Sequence, residues 1–318
     1  MFKSTDGGAS WKAIRNGVIR NSIYGLAIDQ ANPDIVYLGT ENGVFKTTNG
    51  GASWNAAGSG LPGSRVNDLV INPSDTATIY AANDSGVYET VNSGANWTRV
   101  NVSGRAFSLA LDPSNAGIIY VGMTGNGAFK STDSGANWVA IKSGLTSSSV
   151  TTITPHLTNH DILYAGTGDG VAISGNGGAS WSTSNAGLTN ADVRSFVIAP
   201  SDPNTLYAGT TTQGALKSTN AGASWAAINT GLVDSFVQTL AVDPSNSSIA
   251  YAGSISGAFK TIDGGAHWNL IDNVLLDTSV FSLTIDPSNP NKLYASLFRE
   301  GQSRLRMAAQ AGPSLTTD

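Results

Sequence analysis

All seven tryptophans of this chain fall in one phase of one repeat, and that periodicity constrains the fold more than any other feature. They are Trp11, Trp54, Trp97, Trp138, Trp181, Trp225 and Trp268, separated by 43, 43, 41, 43, 44 and 43 residues. The octapeptides ending on them read STDGGASW, TTNGGASW, TVNSGANW, STDSGANW, SGNGGASW, STNAGASW and TIDGGAHW. A period of roughly 40–45 residues belongs to propeller blades and solenoid units, each too small to bury its own apolar face.

Other segments recur in the same phase. SLALDP (108–113) alternates apolar and small residues and ends on an Asp-Pro-Ser turn, and it returns as GLAIDQ, DLVINP, SFVIAP, TLAVDP and SLTIDP. A second segment follows with tyrosine at 37, 80, 120, 164, 207, 251 and 294. A third, such as Gly127-Ala128-Phe129-Lys130, precedes the tryptophan octapeptide, and a fourth starts at the tryptophan. Period-two alternation bounded by Gly, Pro, Asn and Ser predicts strands joined by turns, with no helical periodicity anywhere. Four antiparallel strands in each of seven repeats predict an all-β chain, a seven-bladed β-propeller of four-stranded blades. The chain begins on a third strand (Phe2-Lys3) and its last complete repeat segments are a first strand (Val280–Asp286) and a second (Lys292–Leu297). The halves match only if the N- and C-terminal segments share one blade, which closes the ring and removes exposed sheet edges.

Residues 1–300 are therefore expected to form a single propeller and 301–318 a non-repeat C-terminal tail. Where another box is due, the chain reads Gln302-Ser303-Arg304-Leu305-Arg306-Met307-Ala308-Ala309-Gln310-Ala311-Gly312. Codons permitted for these residues, read two bases later, spell Lys-Ser-Thr-Thr-Asp-Gly-Gly-Ala-Ser-Trp. The expectation is that the reading frame slips near Glu300 in a longer repeat gene and that the tail carries no function.

Composition narrows the partners. Charged residues are 12% of the chain and the net charge is −5, with no basic stripe of the kind that neutralises phosphates. No apolar run approaches the roughly 20 residues of a membrane helix, and residues 1–20 lack the apolar core of a signal peptide. Nucleic acid and membrane insertion are not expected, nor is a cofactor, and a monomer is. With no cysteine there is neither a disulfide nor a thiolate metal site.

In the octapeptide the third position is Asp at 6, 133 and 263 and Asn at 49, 92, 176 and 220. Either side chain accepts backbone N–H groups of its own turn, so geometry and not charge is the requirement. The glycine two residues later takes a conformation other residues resist, and the tryptophan buries a large apolar area. These positions read as structural. Motif and period together resemble the bacterial neuraminidase (Asp-box) repeat superfamily across nearly the whole chain. That superfamily includes sialidases, xyloglucan-cleaving hydrolases, sortilin-type receptors and a photosystem II assembly factor. The resemblance implies the propeller fold, a bacterial extracytoplasmic setting, and boxes on the face away from the functional one. It does not choose among enzyme, receptor and assembly factor.

Chemistry is sparse. A sialidase site needs three arginines around a carboxylate and a tyrosine–glutamate pair, but the family's Phe-Arg-Ile-Pro segment is absent and only three glutamates exist. One of them, Glu89, holds a strand-three position that is Lys3, Lys46 and Lys130 elsewhere. Two-carboxylate glycoside hydrolysis would draw on Asp68, Asp84, Asp169, Asp192, Asp234 and Asp277, which fall near the expected functional face. Xyloglucanase-like enzymes carry two tandem propellers and this chain one, so a hydrolase fragment is the runner-up. His156 and His160 beside Asp161 would suggest a metal pair on a helix, but PHLTNHD is a turn here and no metal is expected.

One ring of positions varies as a binding surface would. Five residues before the turn that ends strand one stand Tyr24, Asn67, Phe107, Ser149, Arg194, Gln238 and Phe281. If strand one is innermost, Tyr24, Asn67, Phe107, Arg194, Gln238 and Phe281 are expected at the channel mouth, where aromatics and hydrogen-bonding groups suit a sugar or a peptide. The function expected is a non-catalytic binding or scaffold module for glycan or protein.

Overall fold

A computed structural model describes residues 1–18, 21–189, 191–271, 275, 276 and 278–297. Asp277 and the tail expected over 301–318 lie outside these residues. The described chain is all-β: seven four-stranded antiparallel sheets follow one another around a ring. Blade 1 is Ile23–Ile28, Val36–Thr40, Gly43–Thr47 and Asn55–Ala56, and blades 2 to 6 repeat this order from inner to outer strand. The inner strands of blades 2 to 6 are Val66–Ile71, Ala106–Leu111, Val150–Pro155, Val193–Ile198 and Val237–Asp243.

Blade 7 closes the ring as the phase of the termini requires. Its inner strands, Val280–Asp286 and Asn289–Leu297, come from the C-terminal side and its outer strands, Phe2–Ser4 and Lys12–Ala13, from the N-terminal side. Phe2 pairs with Ala295, Lys3 with Tyr294 and Ser4 with Leu293. Neither half-blade keeps an unpaired inner edge, the feature that makes an open sheet prone to wrong pairing.

The core lies between blades. Tyr37, Tyr80, Tyr120, Tyr164, Tyr207, Tyr251 and Tyr294, one per second strand, are among the largest fully buried side chains. Each apolar cluster joins neighbouring blades; Tyr37 and Val44 of blade 1, for example, pack with Val66, Leu69, Ile79 and Trp97 of blade 2. A buried tyrosine needs a partner for its hydroxyl, and in four blades the next blade's box supplies it. Tyr37 donates to the Ser93 carbonyl at 3.2 Å, Tyr80 to Ser134 at 3.2 Å and Tyr251 to Gly7 at 3.1 Å. The strand-three lysines reach across the same seam. Lys3 donates to the Gly50 carbonyl at 2.9 Å, Lys217 to Gly264 at 3.0 Å and Lys260 to Gly7 at 2.9 Å, each amine lying over a tyrosine ring.

The boxes work as turn locks. In all seven, the Asp or Asn side chain accepts the N–H four residues on: Asp6 from Ser10, Asn49 from Ser53, Asn92 from Asn96, Asp133 from Asn137, Asn176 from Ser180, Asn220 from Ser224 and Asp263 from His267, at 2.8–2.9 Å. The Ser or Thr two positions earlier accepts the box-glycine N–H, as Thr47 does from Gly51 at 3.0 Å. In five boxes the indole N–H then ties the turn to the blade before it. Trp54 donates to Ile14, Trp97 to Ala57, Trp181 to Ile141, Trp225 to Ser184 and Trp268 to Ile228. Trp11 donates to Gly8 of its own turn at 3.1 Å, and Trp138 donates to Gly135 of its own turn. Trp138 stands at the 41-residue spacing, where the preceding outer strand runs on as Thr98–Ser103 and the usual connecting loop is missing.

Candidate functional site

Every inner strand carries one residue too many. In blade 1, Ile23 pairs with Thr40 and Gly25 with Gly39, leaving Tyr24 outside the ladder. The residues skipped in the other six blades are Asn67, Phe107, Thr151, Arg194, Gln238 and Phe281. A β-bulge bends its strand and re-aims one side chain, and here all seven re-aimed side chains line one cavity of about 400 Å³ at the centre of the ring. The six ring residues expected from sequence are thus brought together, but the seventh is Thr151 and not Ser149. The cause is the fourth repeat's turn, which ends its strand at His156: His156 N–H donates to the Ile162 carbonyl just as Asp112 N–H does to Ile118. Counting back from the true turn residue reaches Thr151.

The bulge sets a second problem, which the neighbouring blade solves. The amide two residues past the bulge is left over from its own ladder, and in four blades a polar side chain of the preceding blade accepts it. Ser108 takes Ile153 N–H at 3.2 Å, Ser195 takes Leu240 at 3.0 Å and Thr239 takes Leu283 at 3.3 Å. Blade 1 has Gly25 at this position, because a Cβ there would lie 2.9 Å from the Asp68 Cα. Glycine offers no acceptor, so Asp68 covers two amides, Leu69 in its own blade at 2.8 Å and Leu109 in the next at 2.9 Å. Burial pushes the Asp68 carboxyl up to about 6, against those two hydrogen bonds.

Charge at the mouth is arranged in closed groups. Asp84 accepts from Arg105 Nε at 3.0 Å and from Asn67 Nδ2 at 2.9 Å, with Arg65 Nη2 3.7 Å away. Arg194 pairs with Asp192 at 2.6 Å. Arg65 also lies over the Tyr24 ring, 4.6 Å from its centroid, and Tyr24 meets Phe281 edge to face at 5.8 Å. The Nε–H groups of Arg65 and Arg194 are buried without an acceptor. Gln238, Thr152 and Ser282 line the cavity with side chains that make no hydrogen bond among the described residues.

The remaining aspartates named from sequence serve turns and loops. Asp234 accepts the Phe236 N–H at 2.9 Å, and Asp169 is an exposed turn residue whose carbonyl accepts from Asn185. The two histidines also part company. His156 Nδ1 accepts the N–H groups of Thr158 and Asn159, replacing the turn carboxylate, while His160 Nδ1 lies 3.1 Å from Asp112 Oδ1 of the preceding blade. Arg65 and Arg105, which line the mouth, were not singled out by the sequence. Both sit just before an inner strand, a position whose orientation only the closed ring reveals.

No protein-family model and no curated protein matches the chain. Solved structures share its fold at low identity. The GH74 xyloglucanase from Xanthomonas campestris is 16% identical over 91% of this chain, with a TM-score of 0.76, and the chain spans 52% of that enzyme. YCF48 from Cyanidioschyzon merolae is 14% identical over 91% of this chain and 98% of its own, with a TM-score of 0.66. A second YCF48 structure, bound to D1 peptide, is 15% identical over 89% of this chain and 95% of its own, also with a TM-score of 0.66. The chain is a seven-bladed β-propeller of four-stranded blades, and it shares its fold with these proteins.

Proposed function

We propose that this propeller is a non-catalytic binding module that takes its ligand at the channel mouth. The observation that carries the reading is the convergence of seven bulge side chains, of unlike chemistry, on one cavity. The opposite, box-bearing face holds the blades together through tyrosine, lysine and indole contacts. Hydrolysis of a glycoside by the usual route needs two carboxyl groups about 5–9.5 Å apart across the bond to be cut. Asp68 is the carboxylate that lines the described cavity, and both of its oxygens already hold backbone amides. The YCF48 structure with a D1 peptide is a precedent for ligand binding by a propeller of this size. Incubation with a panel of plant and bacterial polysaccharides, xyloglucan included, tests the reading. No new reducing ends are expected; steady release of them, abolished by Asp68→Asn in a folded variant, would establish a hydrolase instead.

A further inference from the structure

Resting on that reading, we propose that the mouth is selective for the terminal residue of a neutral oligosaccharide, received end-on along the ring axis. Three properties of the site point to this class of ligand.

The first is charge. The three guanidinium groups of the mouth, Arg65, Arg105 and Arg194, stand against three carboxylates, Asp68, Asp84 and Asp192, and the last two are in ion-pair contact with arginines at 2.6–3.7 Å. The group is balanced, so an anion entering it meets no uncompensated positive field. It would have to displace Asp84 or Asp192 to gain a partner, which exchanges one charge pair for another. A neutral ligand leaves these ion pairs intact.

The second property is the mixture of neutral groups. Gln238 and the hydroxyls of Thr152 and Ser282 have no other partner among the described residues, and each can donate and accept. Sugar hydroxyls have the same double capacity. Beside these groups stand the rings of Phe107, Phe281 and Tyr24. A pyranose presents C–H groups on its ring face and hydroxyls at its rim, which matches aromatic walls interleaved with amides and hydroxyls.

The third property weighs against one form of the main alternative, a peptide added as a strand. A peptide that binds by adding a strand needs a row of unpaired backbone groups. In five of the seven inner strands the amide past the bulge, at Leu69, Leu109, Ile153, Leu240 and Leu283, is already taken by a side chain. The end-on geometry follows from the walls. Inner strands surround the cavity, and about 400 Å³ is at the small end of the ~300–1,000 Å³ typical of small-ligand sites. A polymer lying across the face would leave the bulge residues on the far side untouched, whereas a chain end reaches the whole ring.

The experiment is a binding screen of the full chain against neutral, uronate-containing and sialylated oligosaccharides and a peptide library, followed by calorimetric titration of the best probe. Neutral oligosaccharides should bind, with affinity insensitive to salt between 50 and 300 mM. With a long polymer of the same sugar, saturation should come at about one protein per chain end whatever the polymer length. Phe281→Ala and Gln238→Ala should each weaken binding about tenfold, while Val139→Ala, on the exposed outer strand of blade 3, should not. Circular dichroism and melting show that each variant is folded. Selective binding of acidic sugars or of peptides, weakened by the same mouth variants, would overturn the ligand class and leave the mouth as the site. Several proteins bound per polymer chain would overturn the end-on geometry. Binding indifferent to Phe281→Ala and Gln238→Ala would overturn the mouth itself, and no binding by any probe would overturn the proposal.

Discussion

Gly60 sits at φ +89°, and a Cβ there would be 2.3 Å from the carbonyl oxygen of Trp97 in the next box. The contact exists because Trp97 N–H donates to the neighbouring Ser59 carbonyl at 2.8 Å, which draws the two backbones together. Gly60→Ala must therefore move one backbone away from the other besides adopting a left-handed conformation. Gly43 is a suitable comparison, with φ +105° and nothing within 4 Å of its would-be Cβ. Gly43→Ala should cost about 1–3 kcal/mol from backbone strain alone, and Gly60→Ala clearly more, in urea midpoints of the two variants. Equal midpoints would mean that the seam between boxes is looser than described. His156 makes a prediction of a different kind. Its Nδ1 accepts two N–H groups and so must be unprotonated, and burial, with His160 nearby, holds its pKa below the ordinary value. The folded pKa is depressed relative to the unfolded one, so protonation favours unfolding. The contribution is complete above the unfolded value of about 6.5 and shrinks as pH falls below it. His156→Asp restores the residue that occupies this turn position at 29, 112, 243 and 286, and an Asp there stays ionised through this range. Between pH 7.5 and 5.5 the melting temperature of the wild type should fall by more than that of His156→Asp; parallel changes would refute the acceptor role of His156.

The blade as an element shows what a sequence can disclose and what it cannot. Strand order, box phase and five-residue offset were legible because each depends on residues within one repeat. Tyr24, Asn67, Phe107, Arg194, Gln238 and Phe281 could be placed together for that reason, and Ser149 was misplaced only because His156 disguises the turn from which the offset is counted. The role of Asp68 was not legible. It depends on Gly25 being in the blade before and Leu109 in the blade after, a relation that appears once inner strands lie side by side. The same holds for Lys3, Lys217 and Lys260, whose recurrence is visible but whose acceptors lie 47 or more positions away in sequence. At this scale the indole bonds give a graded expectation. Trp97→Ala removes a buried ring that ties blade 2 to blade 1 and should cost about 3–5 kcal/mol. Trp138, half-buried and bonded within its own turn, should cost less when changed to alanine. A chemical denaturation series of the two variants compares them directly, and a larger loss at Trp138 would contradict the interlocking role assigned to the indoles.

The ring as a whole depends on a seam that no covalent bond crosses. Phe2–Ser4 pairs with the strand containing Leu293, Tyr294 and Ala295, and Lys260 and Tyr251 of blade 6 both donate to the Gly7 carbonyl of the N-terminal box. On the inner side, Tyr24 of blade 1 meets Phe281 of blade 7 across the same region of the ring. Closure therefore holds the blades in register and shapes the mouth at once. Removing the N-terminal strands should leave the Asn289–Leu297 strand of blade 7 with an unpaired edge and the Tyr24–Phe281 pair without support from the outer half of its blade. The most direct measurement is the melting temperature of the chain lacking residues 1–14, alone and with a synthetic peptide of residues 1–14 added in excess. A closed, end-paired ring requires a lowered melting temperature in the truncated chain, recovered at least in part by the peptide through mass action. A truncated chain that melts at the same temperature as the intact one would show that the termini do not close the propeller.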